Sequence, residues 1–209
     1  MENSNASASF KSAELSLAIQ KKIFNRMANK NVMKHFIDET SNHLLDNLHR
    51  LIQCYLSESK VNKKMTIPKN SEKVVKNVLK IIIKIAILTF NEQFSADEKV
   101  NANRLQMKIR STFMSIISFH EVDYSYDQCY LISSLDWIRY KLKQLVEPHL
   151  SNKSSNRIDT VFNFFTDCNF LDRFYQSQRS SADSQNDPIY KIRCELMSDI
   201  NIMLESGRF

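Results

Sequence analysis

The stretch Val74-Val-Lys-Asn-Val-Leu-Lys-Ile-Ile-Ile-Lys-Ile-Ala-Ile-Leu88 decides how this chain folds. At about 100° per residue, Lys76, Lys80 and Lys84 fall with Lys73 and Asn77 inside an arc of roughly 100° on a helix. Almost everything else on the circumference is apolar, with Ile87 the one intruder into the polar arc. The run is too short to cross a bilayer, which takes about 20 apolar residues without charges at the centre. A helix of this kind has to be buried over most of its surface. Two arrangements do that. The helix is either a central core element with a solvated lysine stripe, or the wall of an apolar cavity whose lysines stand near a mouth that accepts anionic ligands.

The rest of the composition fits helices around it. One glycine and three prolines among 209 residues leave little material for hairpin turns, so the fold class expected is all-α. The length suits one domain with its own core. Twenty-nine Lys and Arg against 23 Asp and Glu give a net charge of +6, which favours anionic partners such as phospholipid head groups. The cations are spread over several helices and interleaved with acids, and no helix-turn-helix or zinc motif accompanies them, so a nucleic-acid partner is not expected. Residues 1–12 are small and polar, without the apolar core of a signal peptide. They read as a disordered tail of a cytoplasmic protein. Cys54, Cys129, Cys168 and Cys194 lie far apart with no CxxC pair, as expected of reduced, partly buried thiols.

Along the chain, a basic amphipathic helix is expected over 13–28. Leu17, Ile19, Ile23, Phe24 and Met27 lie on one side of it, and Lys11, Lys21, Lys22, Asn25 and Arg26 on the other. A second helix follows over 31–55, then a mobile linker over 57–70 containing Pro68, then the lysine-striped helix to Phe90. Ser95-Ala-Asp-Glu98 is a capping box opening a helix to Phe119. Asp123 or Ser125 opens the next, which Pro148 ends. A short helix over 154–165, a turn carrying Phe170, Leu171, Phe174 and Tyr175, and a final helix ended by Gly207 complete a bundle of about seven helices.

Catalysis finds no candidates. A chain whose one glycine is Gly207 cannot build a phosphate-cradling glycine loop. His35 precedes Asp38 and Glu39 at helical spacing, yet no second ligand pair joins them, so no metal is expected. Cys168 has no local base to activate it as a nucleophile. The protein reads as a non-enzyme without a cofactor.

Taken together, several segments resemble the tumour necrosis factor alpha-induced protein 8-like (TIPE) family. They are Ser16-Leu-Ala-Ile-Gln-Lys-Lys22, Arg26-Met-Ala28, Phe36-Ile-Asp-Glu-Thr-Ser41, Leu44-Leu-Asp-Asn-Leu48 and Ser118-Phe-His-Glu-Val-Asp-Tyr124 with Asp127. His149-Leu150, Lys153-Ser154, Arg157, Val161-Phe162, Asp167-Cys168, Phe170-Leu171 and Met203-Leu-Glu205 continue the match. The resemblance covers residues 15–206 in uninterrupted order.

It implies an antiparallel bundle of about six helices plus an N-terminal amphipathic one, related to but distinct from death effector domains. The bundle would enclose an apolar cavity for lipid tails with basic residues at its mouth. It implies a cytosolic protein that binds phosphoinositides or other phospholipids, transfers them between membranes, associates reversibly with anionic membrane surfaces, and regulates cell death and inflammatory signalling. A bound phospholipid or fatty acid is expected in place of a cofactor. The head-group or membrane contacts it implies are Lys21, Lys22, Arg26, Lys76, Lys80, Lys84, Arg104 and Lys108. The cavity wall would draw on Ile82, Ile83, Ala86, Ile109, Phe113, Leu131, Leu135 and Phe162. Phe90 and Gln106 stand where the family's cavity mouth is basic. The implied head group is therefore less charged, or is held by Lys84, Arg104 or Lys108. The competing expectation is an adaptor that captures signalling proteins in apoptosis through the bundle surface.

Overall fold

The computed structural model describes residues 11–15, 18–19, 39–58, 67–122, 124–176 and 187–207. Among them run seven helices, with a short helical piece over 12–15 ahead of them. They are α1 (Glu39–Glu58), α2 (Ile67–Phe90), α3 (Ala96–Glu121), α4 (Gln128–Val146), α5 (Asn152–Phe165), α6 (Cys168–Gln176) and α7 (Pro188–Glu205). No strand occurs among the described residues, and the fold is all-α.

Packing order differs from chain order. α1 lies between α7 and α2, α2 between α1 and α5, and α5 between α2 and α4. α4 then meets α3, and α3 returns to α7. Six helices therefore close a ring, while α6 rests against α4, α5 and α7. The consecutive helices α2 and α3 make no extended contact with each other. Their side chains nevertheless share one apolar cluster, in which Ile81 and Leu88 of α2 and Leu105 of α3 meet Ile138 and Leu142 of α4 and Ile158 of α5.

Polar cross-links fix the directions. His43 and Arg50 of α1 reach Asp199 and Glu195 of α7. Arg139 and Lys143 of α4 reach Asn163 and Asp159 of α5. Lys108 and Ser115 of α3 reach Ser134 and Tyr130 of α4. Each pair runs antiparallel. Ile52, Leu79 and Ile158 are fully buried, and each contributes about 2 to 3 kcal/mol by leaving water.

Local chemistry moves several boundaries from where the sequence put them. Ser95 caps α3 as a complete capping box with Glu98, as the spacing predicts. α4 opens on Asp127, whose carboxylate accepts from Tyr130 N, and not on Asp123 or Ser125. The linker expected over 57–70 is narrower. α1 continues to Glu58 and α2 begins at Ile67, leaving 59–66 outside the described residues. Pro68 therefore stands in a first helical turn, where its missing N–H has no intrahelical partner to lose. The turn expected around Phe170 is the helix α6, whose Phe170, Leu171, Phe174 and Tyr175 are all buried. Ser12 belongs to a helical piece and not to a tail. It is fully buried, its N donates to Asp46 Oδ1 at 2.7 Å, and its Oγ donates to Asn42 O at 2.9 Å.

Two arginines tie the ends together. Arg173 bonds Glu58 of α1 and Asp187 at the start of α7 through four contacts of 2.8 to 3.0 Å. Arg193 is fully buried, donates to Phe174 O at the end of α6, and packs over Tyr190, Phe174 and Tyr175 at 5.1 to 5.9 Å. Nothing in the sequence pattern marked Arg193 as an interior residue. Cys129 and Cys168 are exposed, so of the four thiols only Cys54 and Cys194 are partly covered.

Candidate functional site

The site is built on α2, because that helix carries two different faces. Val75, Leu79 and Ile83 are buried against α1 in a cluster that also takes Leu45, Ile52 and Ile19. Ile81 and Leu88 are buried toward α5 and α4. Ile82 lies on the wheel between these two sets, in the middle of the apolar arc. Buried residues flank it on both sides, yet Ile82 itself is 41% exposed. Val78 and Ile85, its neighbours one turn before and after, are only partly buried. Ile82 is thus an aliphatic side chain at the centre of an inward arc that its neighbours leave uncovered.

The opposite side of α2 holds the lysines. Lys76 pairs with Glu72 one turn earlier. Lys80 is half-buried. Lys84 donates from Nζ to Ser154 Oγ of α5 at 2.6 Å, and Ser154 is itself buried. On the wheel Lys80 and Lys84 sit about 160° from Ile82. The lysine stripe therefore faces away from the ring interior. Of the two arrangements the sequence allows, a solvated lysine stripe and a cavity mouth, the wheel places the stripe away from the inward arc, with α5 packed on its flank.

The other expected contacts separate further. Lys108 leans across the α3/α4 seam, donating to Ser134 Oγ at 3.1 Å, with its Nζ 5.4 Å from the Tyr130 ring centre. Arg104 is exposed on α3, and Gln106 is exposed two residues on. Phe90, at the end of α2, is 50% exposed. Lys21, Lys22 and Arg26 lie outside the described residues. Ile19, just ahead of them, is buried with Leu45 and Leu79 in the α1/α2 cluster.

Of the expected wall residues, Ile83 points to α1, while Ile109 and Phe162 pack against the cluster shared by α2 to α5. Leu131 is buried in the cluster around α6 and α7, with Phe113 and Leu135 packed against it. Ala86 is buried on α2. Among the described residues no group of three His, Cys, Asp or Glu is placed to hold a metal. No described helix is long and apolar enough to cross a membrane.

With this geometry the chain can be set beside known proteins. The family model for "Tumor necrosis factor alpha-induced protein 8-like" matches residues 10–207. The chain belongs to that family. It is 41% identical over 198 residues to the tumor necrosis factor alpha-induced protein 8-like protein of Drosophila pseudoobscura pseudoobscura, covering 95% of this chain and 96% of the relative. It is 40% identical to protein salivary glands marred of Drosophila melanogaster, with the same coverage. Human tumor necrosis factor alpha-induced protein 8 is 38% identical over 166 residues, 79% of each chain. For a member of the tumor necrosis factor alpha-induced protein 8-like family, the features to explain are then the uncovered Ile82 and the cationic face behind it. Sequence reasoning missed two residues of that face, Lys153 and Arg157 of α5. Both stood in the segments that carried the resemblance, but only the packing of α5 on α2 brings them to Lys84.

Proposed function

We propose that the protein holds a phospholipid or fatty acid with its tail in the ring interior and carries it to and from anionic membranes, in a signalling role in cell death and inflammation. The observation that carries this is Ile82, an aliphatic side chain in the middle of the inward face of α2 that is nonetheless 41% exposed. A tightly packed core would cover it, because protein interiors leave few voids larger than a water molecule. An acyl chain seated against Ile82 would gain about 0.8 kcal/mol for each buried methylene. Lys21, Lys22 and Arg26 follow directly after the buried Ile19. They meet the head group or the membrane, at about 1 kcal/mol per basic side chain near an anionic surface.

The test is co-sedimentation with phosphatidylcholine vesicles containing phosphoinositide at fixed salt. Lys21→Glu with Lys22→Glu is expected to lower the bound fraction by about tenfold or more, since two charge reversals each remove more than one such contribution. Unchanged binding would contradict the membrane role of this segment.

One observation favours a second reading, the adaptor. Val100, Met107 and Met114 recur every seven residues on the outer side of α3 with exposures of 50 to 71%, and Trp137 and Tyr140 of α4 are also exposed. Such a patch is of the kind that meets other proteins. Capture of a signalling partner that survives the Lys21 and Lys22 reversals, and is lost with Met107→Glu, would speak for that reading.

A further inference from the structure

Arg193 of α7 is fully buried, and the rings of Phe174, Tyr175 and Tyr190 stand 5.1 to 5.9 Å from its guanidinium carbon. An arginine stays protonated wherever it is placed, and a buried charge is costly unless it is paired. Among the described residues Arg193 forms no ion pair. Asp187 acts on it electrostatically, but that carboxylate is already held by Nη1 and Nη2 of Arg173 and by Ile189 N.

Hydrogen bonding points the same way. Nη1 of Arg193 donates to Phe174 O, while Nε and Nη2 are buried and have no partner. Those two atoms make up one edge of the guanidinium, from which two N–H bonds project side by side. Arg173 shows what such an edge takes in this fold. Its Nε and Nη2 clasp the two oxygens of Glu58 at 2.8 Å each. In Arg193 the same edge is open. The surroundings reach the surface, because Tyr190 is only partly buried. His120 of α3, also partly buried, has its ring 6.3 Å from that of Tyr190. Burial, and then the charge of Arg193, hold its imidazole below the usual value against a pull from Glu121, so Arg193 also acts on α3.

We propose that the open Nε–Nη2 edge of Arg193 binds the carboxylate of a carboxylic acid with an apolar body, in a site among α3, α6 and α7 walled by Phe174, Tyr175 and Tyr190. A carboxylate offers one oxygen to each N–H, as Glu58 does to Arg173, and neutralises the buried charge, which a water molecule would not. The rings take the apolar body. The site goes beyond the lipid reading, because α2 with its Ile82 makes no extended contact with α3, α6 or α7. The acid is either a short one that fits between the rings or a fatty acid whose chain runs on into the cluster of α6 and α7.

The full-length chain is passed over a hydrophobic resin to strip bound acids. It is then titrated calorimetrically with 3-phenylpropionate and with decanoate below its micelle concentration, and the Nε–H resonance of Arg193 is followed by NMR. Saturable binding of one acid per chain is expected, with that resonance shifting as the site fills. Binding should be at least tenfold weaker in Arg193→Lys, which keeps the charge and loses the edge, and absent in Arg193→Leu. Decanoate bound at least tenfold more tightly than 3-phenylpropionate makes the ligand a fatty acid, and any other order of affinities makes it a short acid. No binding of either acid, an unmoved resonance, or equal binding by wild type and Arg193→Leu overturns the site. Should a variant fail to fold, the resonance in the wild type still decides. Decanoate that binds without moving the resonance overturns the site and leaves the lipid reading standing, so the two fail separately.

Discussion

The seam between α1 and α7 and the seam between α2 and α5 are built from the same materials and arranged in opposite ways. In the first, charges alternate. Asp199 is buried, and both its oxygens lie within 2.9 Å of His43 Nδ1, while Asn47 Nδ2 donates to it at 3.0 Å and Arg50 reaches Glu195. In the second, Lys84 is repelled by Arg157, Lys153 and Lys80 and donates to Ser154 Oγ at 2.6 Å. A seam of alternating charge stabilises the fold by itself. A cluster of like charge contributes nothing of the kind and works against the fold by a few tenths of a kcal/mol per pair. The difference separates a seam that holds the ring closed by matched charge from one held by apolar packing.

The largest effect should come from breaking the matched seam. Asp199→Ala leaves the buried amide of Asn47 without its acceptor and His43 without its carboxylate. The loss is about 2 kcal/mol, and thermal unfolding should show Tm lower by about 4 to 8 °C. An unchanged Tm would mean that the α1/α7 seam is not what holds the ring.

Acidification comes next, because it charges imidazoles that burial keeps neutral. His49 faces Ser71 of α2, with Nε2 3.2 Å from the hydroxyl. Burial holds it below the usual imidazole value of 6.5 although Glu72 and Asp46 pull it upward. Burial also lowers His120, and Arg193 lowers it further against Glu121. Each group is neutral in the fold and takes up a proton more readily when unfolded. The stabilisation is therefore complete above pH 6.5 and is lost as the pH falls from 6.5 through the depressed folded values. Tm should fall between pH 7 and pH 5.5, and His49→Gln should remove part of that dependence.

The smallest effect runs the other way. Arg157→Gln removes one member of the like-charged seam. Such a pair on a helix costs about 0.2 to 0.5 kcal/mol, so the variant should unfold about 1 °C higher at low ionic strength, and the gain should vanish at high salt. A drop in Tm would show Arg157 to be a structural contact after all.

Much of the fold was legible in the sequence because helices announce themselves locally. The capping box at Ser95, the period of α2 and the near absence of glycine each needed only a few neighbouring residues. α6 was missed because nine residues with two adjacent apolar pairs resemble a greasy turn as much as a helix. Pro68 read as a breaker, although a first turn accepts it. The site was half legible. The lysine stripe and the apolar arc of α2 were plain from spacing, but what flanks the stripe depends on where α5 packs, and that is decided by contacts between residues some 70 positions apart. Lys153 and Arg157 could be joined to Lys84 only by that contact, and Arg193 looked like any surface arginine until its ring of aromatic side chains was seen.

The most direct test of an apolar ligand in the ring is native mass spectrometry of the purified full chain, followed by identification of whatever it releases on denaturation. One stoichiometric phospholipid or fatty acid per chain is the predicted result. A bare protein mass, from a chain that also takes up no lipid from offered vesicles, would contradict it.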